Sequence, residues 1–222
     1  MEPFEREGNM RLRKLFGEFI AEVSRDKKEL SRWAYLLLTG CFENQFRDHF
    51  AWFLQMHTAK LKWVGRDSHV KDARFLKGIG KGDIVHFHAE KPEVIIELKA
   101  AYDFNVPRGH LDEILMFRRA SKYSLSKDLS RWKKLGIKLF GILLVAHITP
   151  DSKLPVICEY VKRKSGCLRN KMEVKKIIQK KLRLHGWRSL RAFDVDLSAQ
   201  MKRIVPGYST PCSLSGYLLS KY

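Results

Sequence analysis

The sequence predicts an α/β domain: a mixed central β-sheet flanked by helices, with a helical addition at the N-terminus. Three features carry this expectation. Apolar residues recur at helical spacing as far as Leu54, short β-rich runs follow, and a nearly continuous apolar run from Leu139 to Ala146 lies beyond them. Helices, a hairpin, then helix, strand, helix and strand in that order suit a sheet covered on both faces. At 222 residues and 45% hydrophobic composition, the chain can bury one sizeable core.

Element by element, Asn9 is placed to cap a first helix whose apolar stripe is Leu12, Leu15, Phe16, Phe19, Ile20 and Val23. Ser31 is the expected cap of a second helix, through Tyr35 to Leu38, interrupted near Gly40. Phe42, Phe46, Phe50, Phe53 and Leu54 mark a third, amphipathic helix of about four turns. Leu61 to Val64 reads as a short strand and Arg66 to Lys81 as loop. Asp83 to His88 and Val94 to Lys99 read as a hairpin turning at Ala89-Glu90-Lys91-Pro92. Gly109 to Tyr123 returns to helix, and Ile137 to Ile148 suits a central strand buried on both faces. Pro155 to Val161 is a further short strand, Lys171 to His185 a basic helix with Val174, Ile177, Ile178 and Leu182 inward, and Leu190 to Leu197 the last strand. The expected organisation is one domain over 1–222: a helical extension (1–40), a core (41–148), a basic part (149–205) and a Ser/Gly/Pro-rich peripheral tail (206–222).

Charge narrows the partners. Lys and Arg number 43 against 24 Asp and Glu, a formal +19, which attracts polyanions. Nucleic acid is the commonest of these, with ribosome association and anionic lipid as the alternatives that charge alone leaves open. Cys41, Cys158, Cys167 and Cys212 form no C-x-x-C pair and read as reduced thiols. The first five residues carry early acids and no apolar segment, so a cytoplasmic or nucleoid-associated protein, not a secreted one, is expected. The run Leu139 to Ala146 is far short of the roughly 20 residues that a spanning helix needs, so no membrane partner is expected.

The chemistry concentrates in Gly80-Lys81-Gly82-Asp83-Ile84-Val85 and Val94-Ile95-Ile96-Glu97-Leu98-Lys99. Glu97 and Lys99 stand two apart on a strongly apolar strand, so their side chains share a face. Ionisable groups on a core strand are costly unless paired or bound to an ion. Asp83, Glu97 and the backbone oxygen of Leu98 would make a hard, oxygen-lined site suited to Mg²⁺. Register decides whether they meet. A clean four-residue loop turns Asp83 away from Glu97, whereas an odd-length loop or a bulge brings it round.

This stretch resembles the PD-(D/E)-x-K nuclease superfamily, whose signature is an acid opening one strand and Glu-x-Lys on the next. Asp83 and Glu97-Leu98-Lys99 fill those places, and Glu43, in Glu43-Asn44-Gln45-Phe46-Arg47, stands where members carry a further acid on a preceding helix. Gly82 replaces the usual proline, and no clear motif follows Lys99. The resemblance covers roughly Cys41 to Ala146 and implies a restriction-endonuclease-like fold. It implies one or two Mg²⁺ ions, with Mn²⁺ as substitute, held by Asp83, Glu97 and Glu43. Lys99 would position or help deprotonate the attacking water, giving a 5′-phosphate and a 3′-hydroxyl. The activity implied is a DNA endonuclease on duplex substrate, a restriction or mobile-element enzyme among the options, and a homodimer is common in the superfamily. A binding module that has lost catalysis, and an RNA or single-strand nuclease, are the alternatives.

Each residue also has a plainer reading. Asp83 can cap a turn, Lys99 can snorkel to water, and Glu43 can pair with Arg47 at i,i+4. His86 and His88 alternate on the hairpin but lack a third ligand, and His110 and Glu113 suit solvated or capping roles. From Lys162 to Arg191 there are twelve Lys or Arg and a single acid, Glu173, so a phosphate-binding surface is expected. Lys171, Lys175, Lys176 and Lys180 on the helix, with Arg131 and Lys133 elsewhere, are its candidates; Trp132 and Trp187 suit base stacking or the core equally.

Overall fold

The computed structural model describes residues 3–40, 42–57, 62–69, 81–88, 91–103, 106, 110–115, 124–133, 136–148, 170–208 and 210–221. Three helices come first: α1 (Pro3–Arg25), α2 (Lys27–Thr39) and α3 (Phe42–Met56). Then come β1 (Lys62–His69), β2 (Lys81–His88), β3 (Lys91–Tyr102), α4 (His110–Leu115), α5 (Leu125–Trp132) and β4 (Lys138–Ile148). The chain closes with α6 (Lys171–Leu184), β5 (Trp187–Asp196), α7 (Ser198–Ile204) and β6 (Cys212–Lys221). The strands form one mixed sheet in the order β1-β2-β3-β4-β6-β5, with only β3 and β4 parallel.

The sheet has a core on each side. Ile84, Ile96, Leu98 and Leu144 pack with Phe16, Phe19, Phe46 and Phe50 of α1 and α3, with Leu37 of α2 and with Met201 of α7. Val85, Ile95, Leu143 and Val145 pack on the other side with Leu111 of α4, Leu125, Leu129 and Trp132 of α5, and Val174 and Ile178 of α6. Successive residues of β3 and β4 alternate between these cores, which is why both strands read as unbroken apolar runs. The helices before residue 40 are therefore integral to the core, not an addition. The Phe16 ring lies 5.4 Å from that of Phe50 and 5.6 Å from that of Phe193 on β5.

Several local expectations are corrected. Asp26, not Ser31, caps α2, its carboxylate accepting from the N–H of Lys28 at 2.8 Å; the Ser31 hydroxyl donates to the Lys27 carbonyl inside the helix. Asn9 lies within α1, which begins at Pro3. Strand β1 runs on through Arg66 to His69, because an edge strand tolerates polar residues on its open side. Strand β5 begins at Trp187 and is not the last. The expected helix over 109–123 is described only as α4, and the expected strand over 155–161 lies outside the described residues.

The largest correction concerns the tail. Cys212–Lys221 is β6, inserted between β4 and β5 and buried from Cys212 through Leu219. Its small residues suggest loop but serve close packing: a Cβ on Gly216 would come within 2.1 Å of the Phe193 ring. Cys212 is buried and free, its thiol pushed up to about 12 by burial and by the charges of Asp196 and Asp103. No helix among the described residues is long and apolar enough to cross a membrane.

Candidate functional site

The site begins with a register shift. Near the turn His88 pairs with Lys91 and Phe87 with Pro92, but His86 pairs with Val94, Val85 with Ile95 and Ile84 with Ile96. Glu93 is the extra residue, a β-bulge on β3. Continued without it, the turn register would set Asp83 opposite Ile96. The bulge instead sets Ile84 opposite Ile96, and Asp83 follows just beyond this last pair. Both bulge-flanking histidines turn toward the inserted carboxylate, His86 Nδ1 at 3.5 Å and His88 Nδ1 at 3.4 Å from Glu93.

The last paired residue of this ladder is Ile84, and the Asp83 side chain takes over where pairing stops. Its Oδ2 accepts the backbone N–H of Leu98 at 2.7 Å, which places the carboxylate against the peptide between Glu97 and Lys99. Its Oδ1 is 3.7 Å from Arg47 of α3, whose guanidinium also lies 3.3 Å from Asp48. The Leu98 N–H thus anchors Asp83, while the Leu98 carbonyl is the group expected to face the cation.

Glu43 enters from the first turn of α3. Burial raises the pKa of its carboxyl, and the negative charge of Asp83 raises it further. Against these act the positive charge of Lys99, a hydrogen bond from the backbone N–H of Ala100, and Arg47. Glu43, Asp83, Lys99 and Arg47 therefore form one electrostatic group where the first turn of α3 meets β2 and β3.

Glu97 reaches toward α5. It is 4% exposed, and its Oε1 accepts the indole N–H of Trp132 on α5 at 2.9 Å. A Cβ on Gly82 would lie 3.9 Å from the same oxygen, so the start of β2 borders this carboxylate too. The four expected residues thus surround one short stretch of β3, Glu97 to Ala100. The charges of Asp83 and Lys99 both act on Glu43, and Glu97 is drawn toward α5. Among the described residues, no three Asp, Glu, His or Cys side chains converge as a ready metal cage.

Arg47 was missed as a member of the site. The i,i+4 spacing suggested a partner for Glu43, but the fold turns its guanidinium to Asp83, 36 residues away in sequence and invisible to local spacing. Trp132 and Trp187 both belong to the core, 1% exposed each, which removes them as base-stacking candidates. A signal was present for Trp132, which continues the Leu125 and Leu129 stripe of α5.

The basic helix divides. Lys171 and Lys175 each reach Asp194 of β5 at 2.7 Å, and Lys181 reaches Asp112 of α4 at 2.7 Å, joined there by His185 at 2.8 Å. Lys176, Lys180 and Arg183 are exposed. Lys133 is exposed beside Lys221, whose pKa is lowered by burial and then by the Lys133 charge. Glu113 is exposed on α4, while the side chains of Arg131 and His110 lie outside the described residues. No family model matches the chain, and no curated protein or solved structure shows significant similarity to it.

Proposed function

We propose that this protein is a divalent-metal-dependent nuclease acting on DNA, with a restriction-endonuclease-like core. The reading rests on one observation above the others. The Asp83 carboxylate accepts the backbone N–H of Leu98, between Glu97 and Lys99, and lies next to Arg47 and Glu43 of α3. The donor set fits a hard cation: burial, and then the neighbouring Asp83 charge, raise the Glu43 pKa, and a nearby cation would oppose both.

In this reading Asp83, Glu43 and Glu97 hold one or two Mg²⁺ ions. Bound Mg²⁺ supplies charge stabilisation at the scissile phosphate and at the leaving oxygen. Asp83 is oriented by the Leu98 N–H, so its position follows the strand rather than a free side-chain rotor. Lys99 orients the attacking water and faces the phosphate charge. Arg47 neutralises Asp83 before substrate arrives, which limits the cost of burying acids side by side. The water oxygen joins phosphorus, the bond to the 3′ oxygen breaks, and that oxygen takes a proton to leave a 3′-hydroxyl. The +19 formal charge supports a polyanionic substrate, duplex DNA first, and a homodimer would supply one site per strand.

Purified protein should nick or cut plasmid with Mg²⁺ or Mn²⁺ and leave it intact with EDTA. Asp83→Ala and Lys99→Ala should each reduce the rate by about 100-fold or more with little change in melting temperature. Intact plasmid across a range of both metals would replace this reading with a binding module of the same fold. Cleavage of RNA alone would keep the chemistry and move the substrate.

A further inference from the structure

We infer that Trp132 is a positioning residue for Glu97: its indole N–H fixes the carboxylate that the nuclease reading gives to the metal, so α5 sets the cation affinity of the site. The inference rests on that reading. It begins with burial. Trp132 is 1% exposed and Glu97 is 4% exposed, and the N–H to Oε1 distance is 2.9 Å. A carboxylate withdrawn from water this far needs donors, and an indole offers one donor and no acceptor, so the direction of the bond is not in question.

The indole is itself held from several sides. Leu125 and Leu129 seat the same face of α5 in the core, and Gly141 of β4 lets Leu125 approach to where a Cβ would stand 2.5 Å from it. Ser126, one residue into α5, donates to the Leu115 carbonyl at 2.6 Å and ties the helix to α4. A donor on so fixed a helix holds one Glu97 oxygen in place while the side chain leaves β3 beside Lys99. Partners of this kind orient metal-binding carboxylates, and their loss typically weakens metal affinity by about 10- to 100-fold. A plain helix-to-sheet tie would use the same bond but would be indifferent to the cation.

Indole NMR separates the two. The chain has five tryptophans, Trp33, Trp52, Trp63, Trp132 and Trp187, hence five indole N–H signals on the full-length protein labelled with ¹⁵N. Titration with Mg²⁺ alone should shift the Trp132 indole signal with the same midpoint as the Leu98 backbone amide. Glu97→Gln, which keeps an acceptor for the indole, should retain the Trp132 signal and lose its Mg²⁺ response. In Trp132→Phe the Leu98 midpoint should move to about tenfold higher Mg²⁺. If Trp132→Phe does not fold, the indole response in wild type and in Glu97→Gln decides alone. A Leu98 amide that titrates while the Trp132 indole stays still would overturn the inference and leave the nuclease reading standing. If neither signal moves at any Mg²⁺ concentration, both fall together.

Discussion

Two groups of buried or half-buried acids are treated in opposite ways by the fold. Behind β5 and α4, Asp194 receives two lysines and Asp112 receives Lys181 and His185, all four contacts between 2.7 and 2.8 Å. Burial works against both carboxylates, yet the hydrogen bonds from these lysines and from His185 outweigh it and hold both pKa values below the ordinary aspartate range. Beside α3 the balance reverses. Burial raises Glu43, Asp83 raises it again, and Arg47 stands 3.7 Å from Asp83 rather than in close contact. Folding stabilises the first group as anions and opposes ionisation of Glu43 in the second. Acids that a fold keeps at its own expense are the ones that point to function.

The clamp side should show the larger loss of stability. Asp112→Ala breaks two contacts at once, leaves Lys181 and His185 facing each other, and should cost about 1–3 kcal/mol. Plasmid cleavage per folded molecule should be unchanged. The sign with pH follows from the direction of the shift. Because the folded Asp112 pKa lies below the unfolded value of 3.8, its stabilisation is complete above that value and fades as pH falls through the folded one. Urea midpoints of wild type and Asp112→Ala should therefore differ near neutrality and converge at low pH. A difference that persists undiminished into strong acid would show that the clamp works through packing rather than charge.

The site side should respond with the opposite sign. Glu43 has a folded pKa above the ordinary 4.5, so the unfolded chain gives up this proton first as pH rises. Its ionisation costs stability progressively from about that pH upward. Glu43→Gln keeps an acceptor for the Ala100 N–H and should raise stability near neutrality by about 1 kcal/mol, with little effect at acid pH. It should also weaken metal-dependent cleavage. Loss of stability on Glu43→Gln, together with full activity, would reverse the assignment of this residue to the site.

This contrast explains what could be read in the sequence. The strands that house the site were legible because β3 and β4 are apolar on both faces, and α3 because its phenylalanines keep one stripe. Asp83, Glu97 and Lys99 stood out because charge on such strands demands a reason. Three things were not legible. The bulge at Glu93 depends on how the turn and strand pair, and nothing in Ala89-Glu90-Lys91-Pro92 announces one extra residue. Strand β6 hides behind its serines and behind Gly216, whose missing Cβ admits the Phe193 ring. The compensation of α6 comes from Asp112, 69 residues from Lys181, and from Asp194, 19 residues from Lys175, so it cannot be read from local charge.

That last point yields the smallest effect and divides α6 into two sets of cations. Lys171, Lys175 and Lys181 are committed to aspartates, whereas Lys176, Lys180 and Arg183 follow one another at i, i+4 and i+7 along an exposed stripe. On a helix rising 1.5 Å per residue those steps are about 6 and 4.5 Å along the axis, so the three cations line one stripe of α6. Each phosphate neutralised adds about 0.9 to the magnitude of the salt slope on duplex DNA. Replacing Lys176, Lys180 and Arg183 together by Gln should lower the slope of log affinity against log salt by about 2–3, with stability within about 0.5 kcal/mol of wild type. The matching replacement of Lys171, Lys175 and Lys181 should do the reverse, lowering stability and leaving the slope nearly as it was. Equal slopes for the two triple variants would remove the distinction, because a cation held by an aspartate has no charge to spare for a phosphate unless that pair opens.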